Sequence, residues 1–393
     1  MKLAFVTPRY GPTVIGGAEG AARALAEHLV ERFGWDVEAY STCARSAYSW
    51  EDVDPPGTET VNGVTVHRFE SKMGRSDDYH AIAGRLFQDP AGASMVDAQR
   101  WVGMQGPVCP DLVEAATSSD ADFIVYYPYL FYPTIRGVPL SPNRAILHPA
   151  AHDEEALRLP VFKDVFKGAA GIVYHTGAEK RLVLRHFSVG ATPSLVLGLG
   201  VETHGGVENS GGAAEAAPLD PPYFLCLGRV EEGKGSLALA RSFAAYKARR
   251  PGPVRLVFTG PVVNPLFDHP DIVVTGPVEE ARKWELLKGA LGLISPSAME
   301  SFSLVMMEAW TAGIPVVVTS YCEPTREHCE QSGGGLWFDG YRELEVVLDR
   351  LIEDGQLRER LATAGKHYVE TRFAWPALLD RYSAFLEKLL ARR

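Results

Sequence analysis

The stretch Pro296-Ser-Ala-Met-Glu300-Ser-Phe-Ser303-Leu-Val-Met-Met-Glu308-Ala-Trp-Thr-Ala-Gly313-Ile-Pro315 decides how the rest of the chain is read. It follows the apolar run Gly292–Ser295, a buried strand, and opens a helix expected over Ser303–Ala312. Such a crossover leaves the first-turn N–H groups, near Phe302–Val305, without carbonyl partners. Together with the helix dipole they suit an anion such as a diphosphate. Glu300 and Glu308 stand eight residues apart, which is about 12 Å along a helix. That spacing allows the two carboxylates to hold hydroxyls at opposite ends of a nucleotide sugar. Counted alone, the same pair also reads as a helix-start carboxylate and a solvated glutamate.

A second string, Gly228-Arg229-Val-Glu-Glu-Gly233-Lys234-Gly235, lies at another expected strand-to-helix turn. Arg229 offers a planar fork to phosphate oxygens and Lys234 a point charge. The spacing is not that of a Walker A loop, and no Ser or Thr follows the lysine.

Outward from these strings the pattern is strand, helix, strand, repeated. Lys2–Thr7, Val37–Ser41, Val64–Phe69, Phe123–Tyr127, Arg144–His148 and Gly171–His175 read as strands. Ala18–Phe33 and Ser94–Ser118 read as helical, with further helices beginning near Asp153 and Gly177. The segment Thr203–Pro222 is rich in Gly, Ala and Pro and reads as a linker or loop. The pattern restarts with strands at Tyr223–Leu227, Arg255–Thr259, Ile272–Thr275, Gly292–Ser295 and Val316–Thr319, and ends in helices that include Pro376–Leu390. Short apolar strands alternating with helices imply parallel sheets covered on both faces, here in two doubly wound α/β domains. Such sheets bind ligands beyond the carboxyl ends of their strands. No internal repeat is apparent.

Composition agrees with a globular protein. The 393 residues carry 39 Lys+Arg against 49 Asp+Glu, a formal net charge of -10, which argues against a general nucleic-acid binder. The five cysteines, Cys43, Cys109, Cys226, Cys322 and Cys329, are odd in number and scattered, so they read as reduced thiols rather than a disulfide framework or a zinc site. The N-terminal apolar run stops at Pro8-Arg9, too short for a signal-peptide core, and no stretch approaches a membrane span. A cytoplasmic protein is expected, with peripheral contact at the inner face of the membrane left open.

The pattern E-S-F-S-x4-E-A-W-x-x-G-x-P with G-R-x4-K-G resembles the family 4 glycosyltransferases, retaining enzymes of the GT-B fold. Gly16-Gly17-Ala18-Glu19 resembles that family's glycine loop. His148-Pro-Ala-Ala-His152-Asp153-Glu154 and His175-Thr-Gly-Ala-Glu179 resemble segments of a bacterial subgroup associated with surface or secreted glycans. The resemblance implies an α/β GT-B fold of two Rossmann-like domains facing a cleft. Residues 1–200 would form the acceptor side, 201–220 a linker, 221–370 the nucleotide-sugar domain, and 371–393 a helix returning toward the first domain.

By the same resemblance His152, Arg229, Lys234 and Glu300 are the catalytic set. Gly16, Gly17, Gly228, Ser301, Phe302, Ser303, Leu304 and Glu308 hold the donor, Glu308 at the ribose and Glu300 at the sugar. No metal and no cofactor beyond a UDP- or GDP-linked donor is implied, and the acceptor is a hydroxyl on a glycan, lipid-linked glycan or small molecule. Ser303 replaces the family's usual glycine, with modest consequences expected for the helix start. The rival readings are an epimerase or phosphorylase on the same fold, and a non-catalytic glycan-binding relative. A nicotinamide dehydrogenase is disfavoured because the first crossover lacks G-x-G-x-x-G.

Three other stretches have two readings each. The aromatic run Tyr126–Tyr132 either shapes an acceptor site or packs the sheet edge. Ser332-Gly-Gly-Gly335 either approaches the nucleotide or is a flexible turn. The basic end Lys388–Arg393 reads either as a solvated helix terminus or as a membrane-binding end.

Overall fold

The computed structural model describes residues 1–14, 17–202 and 222–393. Gly16 and residues 203–220 of the expected linker therefore lie outside the described residues. The chain divides into two units, one of Met1–Gly200 with Leu378–Arg393, the other of Val201–Ala377.

The first unit is built on an eight-stranded sheet. Its strands are β1 (Lys2–Val6), β2 (Asp36–Thr42), β3 (Gly57–Val61), β4 (Val64–Phe69), β5 (Phe123–Tyr126), β6 (Ala145–Leu147), β7 (Gly171–Tyr174) and β8 (Ser194–Val196). The spatial order is β3-β4-β2-β1-β5-β6-β7-β8. Every pairing is parallel except β3 with β4. That exception corrects the expectation of a wholly parallel sheet. Its cause is local: Asn62 and Gly63 both take positive φ, at 48° and 83°, the backbone of a tight two-residue hairpin. β1, β5, β6 and β7 are almost wholly buried, as strands covered by helices on both faces must be.

The second unit holds a six-stranded sheet of β9 (Tyr223–Leu227), β10 (Arg255–Thr259), β11 (Ile272–Gly276), β12 (Gly292–Ser295), β13 (Val316–Thr319) and β14 (Gly335–Phe338), ordered β11-β10-β9-β12-β13-β14. All pairings are parallel. Strand order reverses between β9 and β12, the place where doubly wound sheets open a crevice for a ligand.

Several local expectations are revised. Ser94–Ser118 is two helices, Met95–Gln105 and Pro110–Ser118. Gly106 turns out of the helix at φ 66°, and Pro107 has no N–H to continue it. Near Asp153 there is only a 3-10 turn, Glu155–Arg158, and the helix proper begins at Phe162. Tyr126, Tyr127 and Tyr129 are buried and pack the core, while Phe131 and Tyr132 are half-buried. Ser332-Gly-Gly-Gly335 ends one helix and starts β14, at the amino end of the sheet and away from the ligand-binding edge. A Cβ at Gly334 would stand 2.5 Å from Gly365 Cα, so this glycine serves close packing rather than a nucleotide or a flexible turn.

The C-terminal helix Trp375–Leu390 buries Leu386 and Leu389, and Leu389 Cδ1 lies 2.8 Å from the position a Gly171 Cβ would take. Nor is the basic end merely solvated. Arg393 stacks 4.2 Å from the Phe123 ring centroid, donates to the Asp122 carbonyl at 2.7 Å and also reaches the Asn143 carbonyl.

Candidate functional site

The two sequence strings meet at the reversal point of the second sheet. The loop 228–235 leaves the carboxyl end of β9, and 296–303 leaves that of its neighbour β12. Gly235 makes the approach possible. Its φ is +76°, and a Cβ there would lie 2.8 Å from the Pro296 carbonyl oxygen. The preceding turn is a 3-10 segment, Glu232–Lys234, that aims the lysine across the gap. Lys234 Nζ donates to Glu300 Oε1 at 2.7 Å, with the side chains 31% and 22% accessible. Both groups can therefore still reach a ligand.

The glycine–arginine part of the loop is braced from the next crossover. Gly228 N–H donates to the Thr259 carbonyl at 2.9 Å, Val230 N–H to that of Pro261 at 2.8 Å, and Glu232 N–H to Asn264 Oδ1 at 2.9 Å. The Arg229 guanidinium lies 3.1 Å from Glu231 Oε1.

The helix Leu304–Thr311 begins at Ser303. Ser303 is its N-cap, at φ 77° and ψ 84°, in left-handed space, and its hydroxyl is buried with no hydrogen-bond partner. The helix starts at the serine, as expected, but at a cost. A serine here carries both backbone strain and an unsatisfied oxygen, where glycine would carry neither. Phe302 is buried edge-on against His328 and Phe373, at centroid distances of 4.9 and 5.0 Å, and so fixes the loop from below. His328 and Arg326 sit on the helix Glu323–Ser332, and His328 Nδ1 pairs with the Tyr368 hydroxyl at 2.9 Å. Trp310, on the far face of the 304–311 helix, donates to the Gly334 carbonyl at 2.8 Å.

Glu308 reveals a partner that the motifs do not contain. Lys283 Nζ, on the helix Glu280–Gly289, lies 2.9 Å from Glu308 Oε1 and 2.7 Å from Glu280 Oε1. Burial, the largest influence, pushes the Glu308 carboxyl above its usual range, and Lys283 opposes that rise. The Glu280/Lys283 spacing was visible in the sequence as an ordinary helical pair. Its third member, Glu308, is a tertiary neighbour.

His152 and Gly17 belong to the first unit. Gly17 opens the helix Gly17–Phe33 at φ 65°. His152 follows a bent segment in which Ala150 takes φ 52°. Glu179, wholly buried, holds that segment: its carboxylate accepts Ala151 N–H at 2.7 Å and His175 N–H at 2.6 Å. The Glu179 N–H donates to the Thr176 hydroxyl at 3.0 Å, capping the helix Gly177–His186. Burial pushes the Glu179 carboxyl up to about 7, against the pull of these N–H donors. His152 Nδ1 lies 3.8 Å from Glu154 Oε1, which accepts the Tyr129 hydroxyl at 2.8 Å.

Among the described residues, no group of three or more His, Cys, Asp or Glu is placed to hold a metal ion, and no helix is long and apolar enough to cross a membrane. The five cysteines are free and buried.

Comparisons with known proteins agree with this geometry. Residues 212–368 match the family model described as Glycosyl transferases group 1, the part of the chain that holds the paired loops. An uncharacterized glycosyltransferase of Methanocaldococcus jannaschii is 23% identical over 95% of this chain and 95% of its own length. A trehalose-6-phosphate structure from E. coli, bound with UDP-2-fluoro glucose, superposes with a TM-score of 0.72 at 11% identity, covering 98% of this chain and 99% of that one. A trehalose-6-phosphate synthase, from work on glycosyl transfer with retention, superposes with a TM-score of 0.72 at 12% identity and the same coverage. At these identities the structural likeness establishes the fold, which is GT-B.

Proposed function

We propose that this chain is a retaining glycosyltransferase that moves a sugar from a nucleoside-diphosphate sugar to a hydroxyl acceptor in glycan or glycoconjugate biosynthesis. The observation that carries this reading is the 2.7 Å contact between Lys234 and Glu300 at the strand-order reversal, beside the start of the 304–311 helix. A cation, a carboxylate and a helix N-terminus there match the three parts of an activated sugar: leaving phosphate, sugar hydroxyls and diphosphate oxygens.

In this reading the reaction is limited by departure of the diphosphate. Negative charge grows on its oxygens as the anomeric bond breaks, and preorganised donors lower the barrier by meeting it where it appears. Lys234 and Arg229 are assigned that role, with the N–H groups at the start of the 304–311 helix. Glu300 then exchanges part of its contact with Lys234 for the hydroxyls of the sugar, which fixes the anomeric carbon before attack. Glu308 receives the ribose hydroxyls. His152 is assigned to the sugar, on a segment held by Glu179. Retention follows if the acceptor attacks from the leaving-group face and a donor phosphate oxygen takes its proton, so no protein base is required. The cations and the helix start supply the positive charge that a divalent metal would bring. Assignment to family 4, a UDP- or GDP-linked hexose and a cytoplasmic location complete the proposal. Support for the location comes from five free, buried thiols.

The test is a panel of nucleotide sugars read by thermal shift, since a ligand that binds the folded state raises its melting temperature. At least one UDP- or GDP-sugar should raise it, and Lys234→Ala should lower turnover of that donor about 100-fold or more. Unchanged turnover in that variant would remove the assignment.

A further inference from the structure

Glu308 is not a carboxylate free to turn. Its Oε1 is held 2.9 Å from Lys283 Nζ, and that lysine is itself fixed from a second side by Glu280 Oε1 at 2.7 Å. Glu280 is anchored in turn, because Trp284 Nε1–H donates to the same Oε1 at 2.9 Å. The Lys283 ammonium also lies 5.5 Å from the Trp284 ring centroid, within reach of the ring's negative face. With its side chain 17% accessible, Lys283 sits in a frame built entirely by its own helix, Glu280–Gly289, and points that frame at one carboxylate oxygen. Glu308 keeps 23% of its side chain accessible, so the group is held without being sealed.

The arrangement matters for what Glu308 can do. A vicinal diol is recognised best by an ionised carboxylate in one orientation, because each hydroxyl then donates to an acceptor of full charge. Without Lys283, Glu308 would lose its cation and keep the carboxylate of the exposed Glu280 as a neighbour. Glu308 would then turn away or take up a proton. Either change would spoil the diol acceptor.

We propose that Lys283 is a positioning residue for the nucleoside: by holding Glu308 Oε1 it presents the second carboxylate oxygen to the ribose hydroxyls, and so sets the preference for a ribonucleotide over a 2′-deoxyribonucleotide. This rests on reading Glu308 as the ribose carboxylate. Lys283 lies 25 positions before Glu308, outside the motif that identifies the site.

The experiment is calorimetric titration of the full chain at pH 7 with UDP, GDP and the 2′-deoxy analogue of whichever binds more tightly. Wild type should prefer the ribonucleotide about 10-fold, the worth of one hydrogen bond to a charged acceptor. In Lys283→Met and Lys283→Gln the ribonucleotide should weaken about 10-fold, while the deoxynucleotide barely changes. The preference then falls to about 2-fold or less. Lys283→Arg, which keeps the charge, should restore most of the preference. In a Glu308→Ala background, Lys283→Met should have no further effect, since the group it acts through is gone.

A merely structural lysine would weaken both nucleotides equally, and that outcome overturns the inference, as does a preference that survives in both neutral variants. Failure of wild type to bind any nucleotide, or binding without a ribose preference, would instead remove the reading of Glu308 itself, and this inference with it. Melting temperatures of the two neutral variants confirm that folded protein is being titrated.

Discussion

Ser303 shows how much a single residue type can matter at a helix start. At φ 77° it occupies backbone space that glycine enters freely and other residues enter at a cost, and its buried hydroxyl meets no partner. Ser303→Gly should therefore stabilise the second unit by about 1 kcal/mol, even after the greater backbone freedom glycine has when unfolded. A rise of about 2–4 °C in that unit's melting temperature is the expected reading, and a fall would show that the hydroxyl contributes something. His328, packed against Phe302, makes a different prediction. Burial drives its pKa down to about 3, against an ordinary 6.5. The folded chain thus refuses a proton that the unfolded chain accepts below pH 6.5. Stability from this group is present above that pH and is lost as pH falls toward 3. His328→Gln should narrow the gap to wild type by up to about 1.4 kcal/mol for each pH unit between 6 and 4. Urea midpoints at several pH values measure it, and a constant difference would mean that the imidazole titrates normally.

At the scale of elements, the helix start at Thr176 shows one side chain joining two crossovers. Glu179 satisfies the N–H groups of Ala151 and His175 and is capped in return by Thr176. Glu179→Ala would strand two buried amides and release the strained turn at Ala150. A loss of about 2–5 kcal/mol in the first unit is expected. Turnover should fall too, because the segment that carries His152 loses its hold. Normal stability measured by urea unfolding would contradict this account. The Thr-x-x-Glu spacing of this cap was legible in the sequence, but its grip on Ala151 was not. The Asn62-Gly63 hairpin was also legible in principle, yet the short and exposed β3 has no apolar alternation to draw attention to it. The 304–311 helix was read correctly to within a residue at each end, because a buried strand, a turn and an apolar helix follow one another without interruption.

The whole chain crosses between its units before it ends. Leu378–Arg393 belongs with residues 1–200, and Tyr382 pairs with the buried His148 Nε2 at 3.1 Å. His148 Nδ1 has no hydrogen-bond partner, so the ring's hydrogen bonding rests on Tyr382 of this helix. A chain ending at Ala377 should leave β7 uncovered and His148 unpaired. We expect it to lose at least about 3 kcal/mol from the first unit. Limited proteolysis should then cut first within residues 1–200, whereas cleavage confined to the second unit would refute the dependence.

What the amino-acid order settled by itself was local and repetitive: the alternation of apolar strands with helices, the two glycine-bearing turns, and two glutamates eight positions apart, although the helix takes in only Glu308 and leaves Glu300 in the turn before it. These are properties of near neighbours, and backbone geometry and hydrophobic periodicity act over a few residues. Only the tertiary structure decided that Lys234 meets Glu300 across 66 positions, that Lys283 holds Glu308 across 25, and that Tyr127 and Tyr129 after β5 are core. Those outcomes depend on which strands lie side by side. Strand order follows from burying the whole set of apolar faces at once, and no short window of sequence contains that sum.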